Sequence, residues 1–333
     1  MPASPPEILV PIPPEFAADI ADRPADPLLA AAPDAAAQPL SGEQWLARLP
    51  RILAGRLTAW DLTLDPDVPG APWAGTSALV VPVRLPTRRP AVLKVTWPHL
   101  EARHEHLALR LWDGAGAVRL HAADPRDGAL LLERLDAGRP LSAEPILDAC
   151  EVVGGLLRTL ARSATPQFDA VADRGARWLD TLAAPVAQVP RRLQVQARSH
   201  LRDLLDSAPP PRLLHEDLHD GNVLAAPSPA DGGEAARGPW LAIDPKLVAG
   251  EPAYAVAPIV WSRPEATARA HHARVHVRMR ADVVAEAAGL DGERVRAWTF
   301  VRLVLRAVDA AGRGEAGDEV RARMITLAGH FAS

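Results

Sequence analysis

Between Leu213 and Ala226 the chain reads LLHEDLHDGNVLAA, and no other stretch constrains the fold so tightly. His215, Asp217, His219, Asp220 and Asn222 crowd into one short polar segment between two apolar runs. A strand that stops, turns through a loop and restarts is the simplest backbone for that pattern. Downstream, WLAIDPK (240–246) is a second apolar strand that ends abruptly in an acid, Asp244. The intervening PSPADGGEAARG is too polar and glycine-rich for a core. NVLAA and WLAID therefore form a long-looped hairpin that brings Asn222 and Asp244 to the same end.

Composition bounds the rest. A chain of 333 residues is too long for one small core and suits two lobes. With 48% hydrophobic and 23% charged residues it is an ordinary globular composition, and a net charge of −4 offers no basic footprint for nucleic acid. Cys150 stands alone, which excludes a disulfide framework and a cysteine-based zinc site and fits a reducing cytoplasm. No run approaches the roughly 18 apolar residues of a membrane helix, and MPASPPEILVPIPPEF lacks the basic and apolar regions of a secretory signal. The oligomeric state is not legible.

Along the chain, residues 1–40 form a Pro/Ala-rich extension, expected to be partly extended and mobile over 24–40. Residues 41–135 read as a small nucleotide-binding lobe. It opens with a helix in SGEQWLARLPRILAGRL, capped by Ser41, and continues with strands in WDLTLD, ALVVPVRLP and PAVLKVTW. A helix is expected over Glu101–Trp112, then two strands around a DPRDG turn. Residues 136–333 read as a helical lobe carrying the loop and the acceptor site, with helices at 142–163, 173–184, 190–207 and 263–331.

Several residues carry chemistry. The loop Pro69–Ser77 offers Gly75, Thr76 and Ser77, small residues whose backbone N–H groups can approach phosphate oxygens, though ordinary turns look the same. Lys94 in AVLKV is either an edge-strand lysine reaching water or a phosphate clamp held by a helix glutamate, Glu105 in preference to Glu101. Asp217 is the natural catalytic carboxylate, Asn222 a neutral oxygen ligand for magnesium and Asp244 an anionic one. The string H-x-D-x-H also permits zinc, but without a third ligand at short spacing His215 reads better as a brace of the loop. ALLLERL (129–135) is a connecting strand whose backbone could read an adenine edge.

Together these residues resemble the aminoglycoside phosphotransferase family, and within it the streptomycin 6-kinase and hydroxyurea-resistance group. HEDLHDGNVL (215–224), AIDPKLVAGEPAY (242–254), LLLERL (130–135) and PAVLKV carry the resemblance. It implies a two-lobed, protein-kinase-like α+β fold and ATP- and Mg2+-dependent phosphorylation of a small-molecule hydroxyl, an aminoglycoside first and hydroxyurea second. By the same resemblance Lys94 holds the phosphates, Asp217 is the base, Asn222 and Asp244 bind metal, Glu133 to Leu135 form the adenine hinge, and Lys246 faces phosphate or acceptor. Two positions depart from the group's pattern: Glu216 replaces a glycine and Ala255 replaces an aspartate. That predicts a loosened loop, with a weakly active nucleotide-binding protein as the alternative. A polycationic acceptor further predicts acids near the cleft, with Glu265, Asp282 and Asp309 as candidates.

Overall fold

The computed structural model describes residues 10–32, 34–66, 68–228 and 237–332, so most of the polar hairpin loop lies outside the described residues. The chain divides into two compact units, one of Met1–Asp136 with Ala226–Pro239 and one of Ala137–Ala225 with Trp240–Ser333.

The first unit begins with helices where extended chain was expected. Pro14–Ala21 (α1) and Pro27–Ala30 (α2) each start at a proline, whose fixed φ and missing N–H suit a first turn. Phe16 and Ile20, one turn apart, are buried beside α3 (Gly42–Ala59), with the Phe16 ring edge-on to Trp45 at 6.0 Å. Gly42 allows the approach, because a side chain there would collide with the Ile20 carbonyl oxygen. Two large apolar residues in one short helix leave little periodic signal, and burial rather than propensity supplies the stability. α3 itself follows expectation. Ser41 accepts from the Gln44 N–H (3.2 Å), Gln44 returns the bond (3.1 Å), and Leu49, Leu53 and Leu57 face the core.

The sheet of this unit comprises β1 (Thr63–Leu64), β2 (Trp73–Ala74), β3 (Ala78–Arg84), β4 (Pro90–Thr96), β5 (Leu120–Asp124) and β6 (Ala129–Glu133). Its order is β1-β3-β4-β6-β5, with β2 on β3. Lys94 lies opposite Val80 on one side and Leu130 on the other, at the centre of the sheet rather than its edge. The helix expected from Glu101 is broken: a short 3-10 turn, Leu100–Ala102, precedes α4 (Glu105–Trp112).

In the second unit β7 (Asp136–Pro140) leads to α5 (Ile146–Leu160), β8 (Arg162–Ser163), α6 (Val171–Ala183) and α7 (Arg191–Asp206). Strands β9 (Arg212–His215), β10 (Val223–Ala225), β11 (Trp240–Ala242) and β12 (Leu247–Gly250) build two small sheets, ordered β11-β10-β7 and β12-β9-β8. The long helical tail resolves into α8 (Ala257–Trp261), α9 (Pro264–Ala268), α10 (Ala273–Ala288), α11 (Gly292–Ala311) and α12 (Asp318–Phe331). Val223 pairs with Ala242 and His215 with Leu247, so loop 216–222 and turn 243–246 share one end of the strands. No helix among the described residues is long and apolar enough to cross a membrane.

If α1 is core rather than ornament, Ile20→Ala should destabilise the protein by about 2–5 kcal/mol, the usual cost of emptying a buried aliphatic site. Denaturant unfolding measures it, and a loss within about 0.5 kcal/mol would mark α1 as surface.

Candidate active site

The loop after β9 is organised by one buried ring. His215 donates from Nε2 to the Ile243 carbonyl (3.0 Å) and accepts the Asp217 N–H at Nδ1 (3.3 Å). Burial pushes its pKa down to about 4 and the bond to Ile243 offsets only part of that, so the ring is neutral with its proton on Nε2. Both ring nitrogens are thereby used in bracing, and the His219 Nδ1 accepts from the Gly221 N–H (3.0 Å). The zinc reading finds no support in that geometry, and no group of three His, Cys, Asp or Glu side chains suited to a metal occurs among the described residues.

Around this brace the polar residues converge. Asn222 donates from Nδ2 to the Asp217 carbonyl (2.9 Å), which leaves its Oδ1 as the acceptor end, and its own carbonyl accepts from the Ile243 N–H (2.9 Å). Asp244 follows at once in a left-handed conformation (φ 51°), which turns the chain sharply at the strand end. The Lys246 Nζ lies 3.0 Å from the Asp217 Oδ2, and its carbonyl accepts from the Glu216 N–H (2.8 Å). Loop 216–222, with Asp217 and Asn222, and turn 243–246, with Asp244 and Lys246, are thus bonded to each other. The neutral Asn222 Oδ1 and the Asp244 carboxylate are hard oxygen donors, a set that fits magnesium.

Glu216, which threatened to place a stray charge here, is buried and paired. Arg174 of α6 reaches both carboxylate oxygens from Nη1 (3.0 and 2.9 Å), and the Tyr254 hydroxyl donates to Oε2 (2.9 Å). Burial pushes the Tyr254 hydroxyl up to about 12 against the opposing charge of Arg302, whereas for Arg174 burial lowers the value and the charge of Glu216 more than offsets it. From α11, Arg302 donates to the carbonyls of Glu216 and Tyr254 (both 3.0 Å) and lies over the Tyr254 ring at 4.3 Å. Arg263 secures the other end of the loop through the buried Asp220, while donating to the carbonyls of Glu144 (2.7 Å) and Leu141 (3.0 Å). Ala255 is fully buried, and arginines at 174, 263 and 302 bond the loop.

In the first unit the Lys94 Nζ donates to both oxygens of Glu105 (2.7 and 2.9 Å), and both residues are buried. The choice between Glu101 and Glu105 falls to Glu105. The loop before β3 is less open than expected: the Gly75 N–H is used by the Ala78 carbonyl (2.9 Å) and Ser77 hydrogen-bonds His99 through its hydroxyl (3.1 Å). Thr76 is exposed at the tip. At 133–135, the Glu133 side chain accepts from the Arg119 N–H (2.6 Å) and from Nη1 and Nη2 of Arg237 (2.8 and 2.6 Å), while Leu135 is buried. Glu133 is thus an anchor for Arg237, a residue that sequence reasoning left in a polar spacer.

Lys94 and Lys246 are the only lysines among 37 basic residues. Arginine serves everywhere else, so both lysines occupy places where a compact point charge, rather than a planar fork, is wanted.

This architecture is that of the kinase-like phosphotransferases. A solved choline kinase from Streptococcus pneumoniae superposes with a TM-score of 0.54 over 84% of this chain and 98% of its own, at 12% identity. Residues 61–314 match the aminoglycoside/hydroxyurea antibiotic resistance kinase family, and the chain belongs to that family. A streptomycin 6-kinase from Streptomyces glaucescens is 39% identical over 280 residues, 80% of this chain and 84% of that protein. A hydroxyurea phosphotransferase from Kitasatospora aureofaciens is 40% identical over 278 residues, 79% of this chain and 74% of that protein.

The neutral, buried His215 makes stability pH-dependent. Its folded pKa lies below the unfolded value of 6.5, so the unfolded state binds the proton first and stability falls as pH drops from 6.5 towards about 4. His106, also near 4 through burial and the charges of Arg110 and His104, acts in the same direction. Melting temperature followed across that window should decline, and His215→Asn should flatten the slope while lowering stability at neutral pH.

Proposed function

We propose that the protein transfers the γ-phosphoryl group of ATP to a hydroxyl of a small antibiotic, with a streptomycin-like aminoglycoside as the first acceptor. The observation that carries this reading is the turn in which Asn222 bonds both the Asp217 carbonyl and the Ile243 N–H, so that a base and two oxygen ligands arise from one hairpin. Bound MgATP supplies the phosphoryl group and neutralises the charge that develops on it. Asp217 orients the acceptor hydroxyl and takes its proton as the new O–P bond forms and the bond to the ADP oxygen breaks. Asn222 and Asp244 hold the metal. Lys94, kept extended by Glu105, steadies the nucleotide phosphates, and Lys246 places a positive charge beside Asp217. The adenine is read by the backbone at 133–135, and the backbone N–H groups of Thr76 and Ser77 meet the phosphates.

A second acceptor is favoured by a specific observation. Asp217 has Lys246 at 3.0 Å, and its charge also bears on Arg306, which stacks on Trp261 at 4.6 Å. Of the acids expected to greet a polycation, Asp282 pairs with Arg296 (2.8 Å) and Asp309 with Arg313, while Glu265 is exposed. A cation-rich surround suits a neutral acceptor such as hydroxyurea better than a polycation.

Phosphate addition to streptomycin, other aminoglycosides and hydroxyurea, read by mass spectrometry, separates the two acceptors. Asp217→Asn should lower kcat about 10²- to 10⁴-fold while ATP still binds. If ATP binds, no acceptor gains phosphate and Asp217→Asn changes nothing, the proposed reaction is wrong. Lys94→Arg and Lys246→Arg should each cost about tenfold or more in kcat/KM, since a planar fork cannot replace a point charge in a tight pair.

A further inference from the structure

Ten residues separate Lys94 from Glu105, and the two side chains must nevertheless meet in the core. Lys94 is fixed by the central strand β4. Glu105 is less firmly placed, because it opens an eight-residue helix whose N-cap, His104, makes no side-chain capping bond. A helix that short is marginal by itself. Ala108, Leu109 and Trp112 bury its later turns, and Glu105 is the buried residue of its first turn.

The N-terminal segment meets the connector that leads into this turn. Arg23 lies over the Trp97 ring at 5.7 Å, and the Trp97 indole N–H donates to the Leu40 carbonyl (2.9 Å). Asp26 accepts the Leu100 N–H at Oδ2 (2.7 Å) while its Oδ1 caps α2 through Leu28 (2.8 Å). Asp34 meets the His104 Nε2 at 2.8 Å and the Arg103 Nε at 3.7 Å. Contacts therefore fall along the connector from Trp97 to His104, ending one residue before Glu105. All four strap residues lie outside the span 61–314 that matches the family.

We propose that Arg23, Asp26, Asp34 and Leu40 form an intramolecular strap that positions Glu105 and, through it, Lys94. Asp26 and Asp34 are positioning residues for the nucleotide, a role that rests on reading Lys94 as the phosphate-binding lysine. The strap holds the connector down against the end of β4, and releasing it lets the first turn of α4 swing away and uncovers the lysine.

The test uses the full chain with Asp26→Ala, Asp34→Ala and Asp34→Asn, the last keeping an oxygen that can accept from His104. Amide hydrogen exchange over 97–106 and amine labelling of Lys94 are read by mass spectrometry. Labelling is clean because Lys246 is the one other lysine and serves as internal control. Each alanine variant should speed exchange over 97–106 by about tenfold, the loss of one charge-assisted hydrogen bond, and raise Lys94 labelling relative to Lys246. KM for ATP should rise about fivefold or more with the acceptor KM unmoved, and Asp34→Asn should fall between the wild type and Asp34→Ala. Unchanged exchange and labelling in both alanine variants would overturn the strap. Faster exchange with an unchanged KM for ATP would overturn its role in positioning the nucleotide lysine. Should the wild-type chain phosphorylate nothing, the proposed reaction fails, while exchange and labelling still decide the strap.

Discussion

A carboxylate inside a protein must be met by a cation and by hydrogen-bond donors, because the cost of removing it from water is several kcal/mol. Glu216 imposes that demand on the second unit. Its neighbours answer it from separate elements: Arg174 on α6, the Tyr254 hydroxyl, and Arg302 of α11 on its carbonyl. Satisfying one buried acid therefore ties several elements to the loop that carries Asp217. Arg263 does the same for Asp220, so both flanks of Asp217 are pinned by arginine forks.

Much of this was legible from local sequence, and the exceptions share a cause. The hairpin that unites Asn222 with Asp244 follows from a polar interruption between apolar runs, and the Ser41 cap follows from neighbours three residues apart. The pairs that hold the loop could not be read that way. Arg174 is 42 residues from Glu216, Arg302 is 86 residues from it, and Arg237 is 104 residues from Glu133. Nothing in a window of sequence distinguishes these arginines from the many others in the chain. α1 was missed for a related reason: its two buried residues acquire meaning only against Trp45. The uninterrupted helix expected over Glu101–Trp112 failed because contacts to Asp26 and Asp34 favour a bent connector over helical continuity.

The scarcity of lysine is informative in itself. Where arginine has taken nearly every basic position, the positions that kept an ammonium mark a geometric requirement rather than a charge requirement. At Lys94 the ammonium fits between two oxygens of one carboxylate in a buried site. At Lys246 it stands end-on to the Asp217 Oδ2. A guanidinium would need more width in the first case and would present several fixed donors in the second.

The return of residues 226–239 to the first unit has a temporal meaning. Arg237 reaches Glu133, Gly114 and Ala117, yet it is synthesised only after Asp217 and Asn222. At about 5–20 residues per second the buried Glu133 must wait some seconds for its cation. The first unit cannot mature as an early, self-sufficient folding unit, and its completion is coupled to the growth of the second. A nascent chain halted before Arg237 would hold an unmatched acid, and quality-control machinery would meet it as an unfinished protein.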